Sequence, residues 1–236
     1  MSPSLFLSRA RLKSGRGEAL SAIAPVLVPA DADQRVGHAH RIVWLLFQDI
    51  LDATRDFLWR DEGDSKYLIL SRRPPSNSLG LFELETKPFA PELSNGDRLC
   101  FSLRANPTTT TKRAGSKPTA NGRLRGKRVD VVMDALFNRP GADRPAVRDQ
   151  LAAEATATWL GAQGQRAGFE PMAPVEVESY THIDIERRRG RSAGISILDL
   201  KGIIKITDPA AFLDKLSRGF GSAKAFGNGL MLIRRA

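Results

Sequence analysis

Short stretches of strand periodicity, each closed by a turn signal, recur from Leu5 to Ile233, and only a few helix-period segments interrupt them. That alternation restricts the chain to sheets carrying helices on their faces, an α+β class of fold. Leu5–Leu12 reads as a first strand, with Leu5, Leu7, Ala10 and Leu12 as inward positions. Lys13–Gln34, with Gly15, Gly17, Pro25 and Pro29, reads as an irregular insertion. His38–Leu51 reads as a helix: Val43, Phe47 and Ile50 share a face that Ile42, Leu45 and Leu46 widen. Asp56–Trp59 and Tyr67–Leu70 read as strands joined through an acidic turn, Asp61–Asp64. Leu81–Thr86 and Leu99–Leu103 follow, the second entered from the turn Asn95-Gly96-Asp97.

Val129–Phe137 reads as a short helix and Ala146–Leu160 as a longer one, with Val147, Leu151, Ala155 and Trp159 on one stripe. Val175–Glu186 and Ile195–Ile206 read as strands, with a basic cluster from Arg187 to Arg191 at their turn. Asp208-Pro209 opens a last helix as N-cap and first helical residue, with Phe212, Leu213 and Leu216 as its apolar face. Leu230–Ile233 closes the chain as a strand. Each half thus holds strands and at least one helix. Two tandem ferredoxin-like (RRM-like) domains, residues 1–92 and 93–236, fit this order; a single larger α+β domain fits the periodicity as well.

The net charge of +10 is local. Between Arg104 and Arg128 stand Arg104, Lys112, Arg113, Lys117, Arg123, Arg125, Lys127 and Arg128, without one Asp or Glu, so the rest of the chain carries only the remaining +2. A solvated loop needs no such exclusion of acids; a polyanion-binding surface does. Asn121-Gly122 is a hairpin signal, and Arg123 and Arg125 then share one face of a strand, as a ribbon gripping phosphates requires. Thr108–Thr111, just before it, is expected to become ordered on binding. No run of about 18 apolar residues offers a membrane span. The N-terminal residues do not read as a signal peptide. The single cysteine, Cys100, allows no internal disulfide and reads as a buried structural thiol between Leu99 and Phe101. A cytoplasmic location fits these features.

Three histidines are present. His182 sits in a strand and reads as structural. His38 and His40 lie two apart, and an imidazole moves protons near neutral pH. Read as metal ligands, the pair lacks a third partner at fitting spacing, so no metal and no cofactor is expected. The loop before the last strand holds Gly219, Gly221, Gly227 and Gly229 around Lys224, residues that bring backbone N–H groups close to phosphates. It precedes a strand, so it is not a dinucleotide fingerprint, and it lacks the Gly-Lys-Ser/Thr of a P-loop.

Three segments taken together, Leu99-Cys-Phe-Ser-Leu-Arg-Ala-Asn-Pro107, the Gly219–Gly229 loop, and His40-Arg41 ahead of Trp44 and Phe47, resemble the CasE family of type I-E CRISPR systems. The resemblance implies a pair of ferredoxin-like domains and a metal-independent endoribonuclease. Such an enzyme cuts the CRISPR repeat RNA at the base of its hairpin and stays with the product among the other subunits of the Cascade complex. It places catalysis on His40 and RNA contact on Arg41 and the glycine loop. Members often carry Tyr three residues before the catalytic His; here Gly37 stands there, which makes His38 a second catalytic candidate. Two other readings remain at this point: an RNA-hairpin-binding module without catalysis, and a basic assembly protein whose main partner is another protein.

Overall fold

In the computed structural model the described residues are 5–13, 32–49, 54–112, 121, 126–137, 139–187 and 191–236. The first unit runs β1 (Leu5–Leu12), α1 (Ala32–Trp44), β2 (Phe57–Gly63), β3 (Lys66–Ser71) and β4 (Phe82–Phe89). Its four strands form one antiparallel sheet in the order β2-β3-β1-β4. This is the ferredoxin-like order with the second helix replaced by a loop between β3 and β4. The alternation of a strand explains the sheet's two faces. Ala10, Leu12, Phe57, Trp59, Tyr67, Ile69 and Phe82 pack under Ile42, Val43, Leu46 and Phe47 of the helical segment, while Leu5, Leu58 and Leu70 enter the core of the second unit.

The helix begins at Ala32 rather than His38, and ends at Trp44 rather than Leu51. Its last turn tightens: the amides of Leu45, Leu46 and Phe47 donate to the carbonyls three residues back. Arg73 then takes the Phe47 carbonyl at 2.9 Å and pairs with Asp49 and Asp56, which stops the helix there. Of the expected insertion Lys13–Gln34, residues 14–31 lie outside the described residues, as do Ile50 and Leu51. The acidic turn is also displaced. Asp61 and Glu62 belong to β2, and the hairpin turns at Asp64 and Ser65, both at positive φ (49° and 57°), as a two-residue hairpin loop demands.

The second unit runs β5 (Arg98–Ala105), β6 (Thr108–Thr111), β7 (Lys127–Asp130), α2 (Val131–Leu136), α3 (Arg144–Ala167), β8 (Phe169–Pro171), β9 (Glu176–Arg187), β10 (Arg191–Ile206), α4 (Pro209–Arg218) and β11 (Met231–Arg235). β11, β5, β10 and β8 follow one another across a sheet in which β9 also pairs with β10; β6 and β7 form a separate hairpin. With α3 and α4 as crossovers this is the complete ferredoxin-like pattern. Asp208 caps α4 as expected, accepting from the Ala211 amide at 3.0 Å. Thr108–Thr111, expected to order on binding, forms the strand β6 paired with β7. Cys100 is only half-buried, because the β5 alternation turns Leu99, Phe101 and Leu103 inward and Cys100 to the other face.

Polar contacts join the two sheets where β2 faces β5. Arg60 donates to Ser102 Oγ at 2.9 Å, and Arg104 reaches the Asp61 carbonyl at 3.3 Å. Arg104 is fixed by a two-pronged pair with Asp199 (2.8 and 3.0 Å), to which Ser179 adds a third bond at 2.9 Å. Burial alone would raise the Asp199 carboxyl, but these bonds outweigh it and hold it below the ordinary carboxylate range. A group depressed in the folded state stabilises the fold above its unfolded pKa and ceases to do so as pH falls through its folded value. Asp199→Asn is therefore expected to destabilise by about 2 kcal/mol at neutral pH, a typical worth for hydrogen bonds to charged groups. Urea titrations should show the difference from wild type shrinking below about pH 4.

Gly219 has φ +75° and ψ 165°, a region open essentially to glycine alone. A Cβ there would lie 2.8 Å from a Leu58 methyl and 3.0 Å from the Gly229 carbonyl oxygen. Gly219→Ala should lower the urea midpoint by the equivalent of about 1–3 kcal/mol; an unchanged midpoint would show that the loop moves off β2 at no cost.

Candidate active site

His40 stands half-buried on α1, four residues before Trp44, so the two rings share a helix face. The Trp44 indole N–H donates to His40 Nε2 at 2.8 Å. The Phe226 ring also lies beside the imidazole, with centroids 6.3 Å apart. Phe226 ends a single 3-10 turn, Lys224–Phe226, inside the glycine-rich loop. That loop reaches α1 because Gly227 has no side chain: a Cβ would sit 3.1 Å from the Trp59 ring. Two motifs far apart in sequence thus meet at one imidazole.

The surroundings of that imidazole are cationic. Burial, then Arg55, then Arg41 hold the His40 pKa below its ordinary value, so the ring is neutral at neutral pH. Burial followed by Arg55, Arg218 and Arg128 lowers the Lys224 pKa. Lys215 is lowered by burial, then Lys224, Arg218 and Arg166, against a weaker opposing pull from Asp214. An open cleft of about 460 Å³ runs from this point, lined by Arg128, Arg166, Lys215, Arg218 and Lys224 together with Thr108, Thr110 and Ser222. Its hydroxyls are linked, Thr108 Oγ1 to Ser222 Oγ at 2.8 Å, and Arg128 reaches the same Ser222 at 3.5 Å. A neutral imidazole among cations is a proton acceptor placed where developing negative charge is stabilised.

The expected site residues divide. Lys224 and Arg128 line this cleft, and His40 lies against Phe226 of the Lys224 turn, with Arg41 exposed beside it. His38 lies about 200° round the helix from His40, so the two imidazoles do not share a face. Lys112 and Lys127 are exposed on the β6–β7 hairpin region. Arg113, Lys117, Arg123 and Arg125 lie outside the described residues. Arg104 spends donors inside the fold: its guanidinium bonds Asp199 and the Asp61 carbonyl and so joins the sheets. Two glycines do as well. The Gly219 amide donates to the Lys215 carbonyl and the Gly229 amide to the Arg104 carbonyl, so neither is presented to a phosphate. Gly221 allows close approach to Asn106, whose carbonyl takes the Ser222 amide at 2.9 Å. The Asn106 side chain in turn donates to the Ser196 carbonyl at 2.6 Å. His182 bonds Ser196 Oγ at 3.3 Å, in keeping with a structural role. Among the described residues no three His, Cys, Asp or Glu are grouped to hold a metal.

Arg55, Arg166, Lys215, Arg218 and Phe226 escape the sequence reading. Arg166, Lys215 and Arg218 sit in the last turns of α3 and α4, where basic residues are expected simply to complement the helix dipole. Arg55 has no sequence signal at all, being an isolated cation before β2. If Arg55 depresses His40 through space, Arg55→Met should move the His40 titration midpoint upward toward 6.5 in an NMR titration of the folded chain. An unmoved midpoint would leave burial and Arg41 as the whole cause.

Residues 5–235 match the CRISPR associated protein family. The chain is 28% identical over 201 residues to the CRISPR system Cascade subunit CasE of Escherichia coli K12, covering 82% of this chain and 89% of that one. It is 29% identical over 157 residues to the CRISPR-associated endoribonuclease Cse3 of Thermus thermophilus, covering 62% of this chain and 60% of that one. The fold is that of Thermus thermophilus Cse3 bound to an RNA representing a pre-cleavage complex, with TM-score 0.64 at 23% identity over 98% of this chain and 99% of the other. Escherichia coli Cas6e superposes with TM-score 0.55 at 22% identity over 98% and 100% of the two chains. With a match running from the first strand to the last, this chain belongs to the CRISPR associated protein family.

Proposed function

We propose that the chain is a metal-independent endoribonuclease that cleaves CRISPR precursor RNA at the base of the repeat hairpin and keeps the product as a Cascade subunit. The observation that carries this reading is the neutral His40, acted on by Arg55 and lying against Phe226, whose own turn carries Lys224 into a cationic cleft. The relatives' endoribonuclease and Cascade names support it. RNA supplies its own nucleophile. His40 takes the proton of a 2′-hydroxyl, the 2′-oxygen bonds to the adjacent phosphorus, and the bond from phosphorus to the 5′-oxygen breaks. Arg55 and Lys224 balance the charge gathering on the phosphoryl oxygens. Lys224, whose lowered pKa makes it a readier acid, gives a proton to the leaving 5′-oxygen. The products are a 2′,3′-cyclic phosphate and a 5′-hydroxyl.

The same reading divides the work between two domains, 1–92 with His40 and 93–236 with the basic hairpin, Lys224 and the cleft. Arg128, Arg166, Lys215 and Arg218 track the RNA backbone, and Lys127 and Lys112 extend that track along the hairpin. Among the described residues no helix is long and apolar enough to cross a membrane, and we assign the site of action to the cytoplasm.

His40→Ala should abolish single-turnover cleavage of a repeat hairpin while leaving its binding nearly unchanged; a near-normal rate would remove His40 from the chemistry. His38→Ala should slow cleavage less than His40→Ala. EDTA should not inhibit, and inhibition reversed by a divalent ion would favour a metal mechanism. Binding without any cleavage would select the RNA-binding module instead. Replacing Arg128, Lys215 and Arg218 together by Gln should flatten the plot of log affinity against log salt by roughly 2–3 units, at about 0.7–0.9 per phosphate contact. An unchanged slope would mean that the cleft does not touch the backbone.

A further inference from the structure

We propose that Trp44 is a positioning residue: its indole N–H fixes the tautomer of His40 and covers Nε2 until a substrate hydroxyl takes the indole's place. An indole N–H only donates, so the Nε2 atom it reaches at 2.8 Å is the unprotonated nitrogen. In a neutral imidazole the hydrogen is then on Nδ1. The indole is not free to swing at random. It packs edge-on against Phe57 at 5.1 Å between centroids, and Phe57 stacks on Phe47 at 4.2 Å. Phe226 lies against the imidazole as well. The ring that has to accept a proton is therefore held in one tautomer by a group that occupies its accepting atom.

The exchange balances. A hydroxyl also donates to Nε2, so a 2′-hydroxyl that displaces the indole keeps the hydrogen bond at His40, and Nδ1–H is untouched. Protonating Nε2 with Trp44 still in place would set two N–H groups against each other. The site therefore resists charging while empty and accepts a proton once the hydroxyl has entered. Burial works in the same direction, and so do the charged neighbours Arg55, from the segment before β2, and Arg41, from the same helix. β9, which also packs on α1, carries Glu176, Glu178, Tyr180, His182, Asp184, Glu186 and Arg187. Of these Glu178 pairs with Lys201, Tyr180 bonds Asp130 and His182 bonds Ser196.

The identity of the displacing hydroxyl rests on the proposed function; the tautomer does not, and the test separates them. Nitrogen-15 NMR of the imidazoles in the full chain should show His40 in the Nδ1–H form, with Nε2 as acceptor. An Nε2–H form would overturn the proposal, and this measurement needs no variant. Trp44→Phe retains a ring against Phe57 and loses the donor. It should shift His40 toward the Nε2–H form and raise its titration midpoint by up to about one unit, the worth of one net hydrogen bond. The acid limb of the cleavage rate against pH should rise with it, whereas hairpin binding stays as in wild type. A midpoint and limb that stay put in folded Trp44→Phe would refute the positioning role. Absence of cleavage in the wild type would strike the endoribonuclease reading alone, leaving the tautomer to the spectrum.

Discussion

The glycine-rich loop straddles the edge strand β2, and the position of everything chemical depends on that contact. Leu58 and Trp59 point to opposite faces of the first sheet. The loop meets both: Gly219 against Leu58, without room for a side-chain carbon, and Gly227 against Trp59, where one would be tight at 3.1 Å. An exposed edge strand invites pairing with other chains, so covering β2 also closes a weak point of the sheet. Because α1 lies over the Trp59 face, the same wrap carries Lys224 and Phe226 to His40. The other end of the loop is bound to the Arg104–Pro107 segment through Gly229 and Ser222. The two motifs most separated from α1 in the chain thus act as one structural piece.

Around this seam the electrostatics are deliberately one-sided. Where β2 faces β5, opposite charges are paired: Arg104 is hydrogen-bonded to Asp199, and Arg60 forms an ion pair with Glu62. At the loop the cations gather against one another, and burial plus mutual repulsion pull Lys215 and Lys224 below their ordinary values. A phosphate backbone entering the cleft relieves that repulsion, so part of the stability forgone in the free chain returns as affinity. Burial first, and then the same field, keep the imidazole uncharged. Charge recognition and proton acceptance are therefore coupled through Arg55, which acts on both His40 and Lys224.

Much of the fold is legible in the residues. β1 and the Asp208-Pro209 cap fall where the pattern puts them, because a buried alternation and an N-cap are local devices. The start of α1 is missed because glycine and proline upstream read as a loop, and its end because Arg73, twenty-six residues after Phe47, supplies the stop. The acidic run Asp61-Glu62 looks like a turn by composition, yet the turn falls where the backbone adopts positive φ. For the site, the acid-free stretch drew attention to Arg104, whose partner Asp199 lies ninety-five residues away and leaves no local trace.

The sequence by itself determined the α+β class and the local character of the positive charge, since periodicity and charge are properties of neighbours along the chain; His40 and the glycine loop were pointed to by the family resemblance of their motifs. Only the tertiary structure decided that His40 meets Phe226 of the Lys224 turn, that Arg55 acts on both His40 and Lys224, that the helix-end cations Arg166, Lys215 and Arg218 gather with Lys224, and that Trp44 donates to Nε2. It also decided that Arg104, Gly219 and Gly229 are used up inside the fold. Which guanidinium finds a carboxylate and which is left facing a cleft depends on contacts between strands and helices distant in sequence, and no spacing rule carries that information.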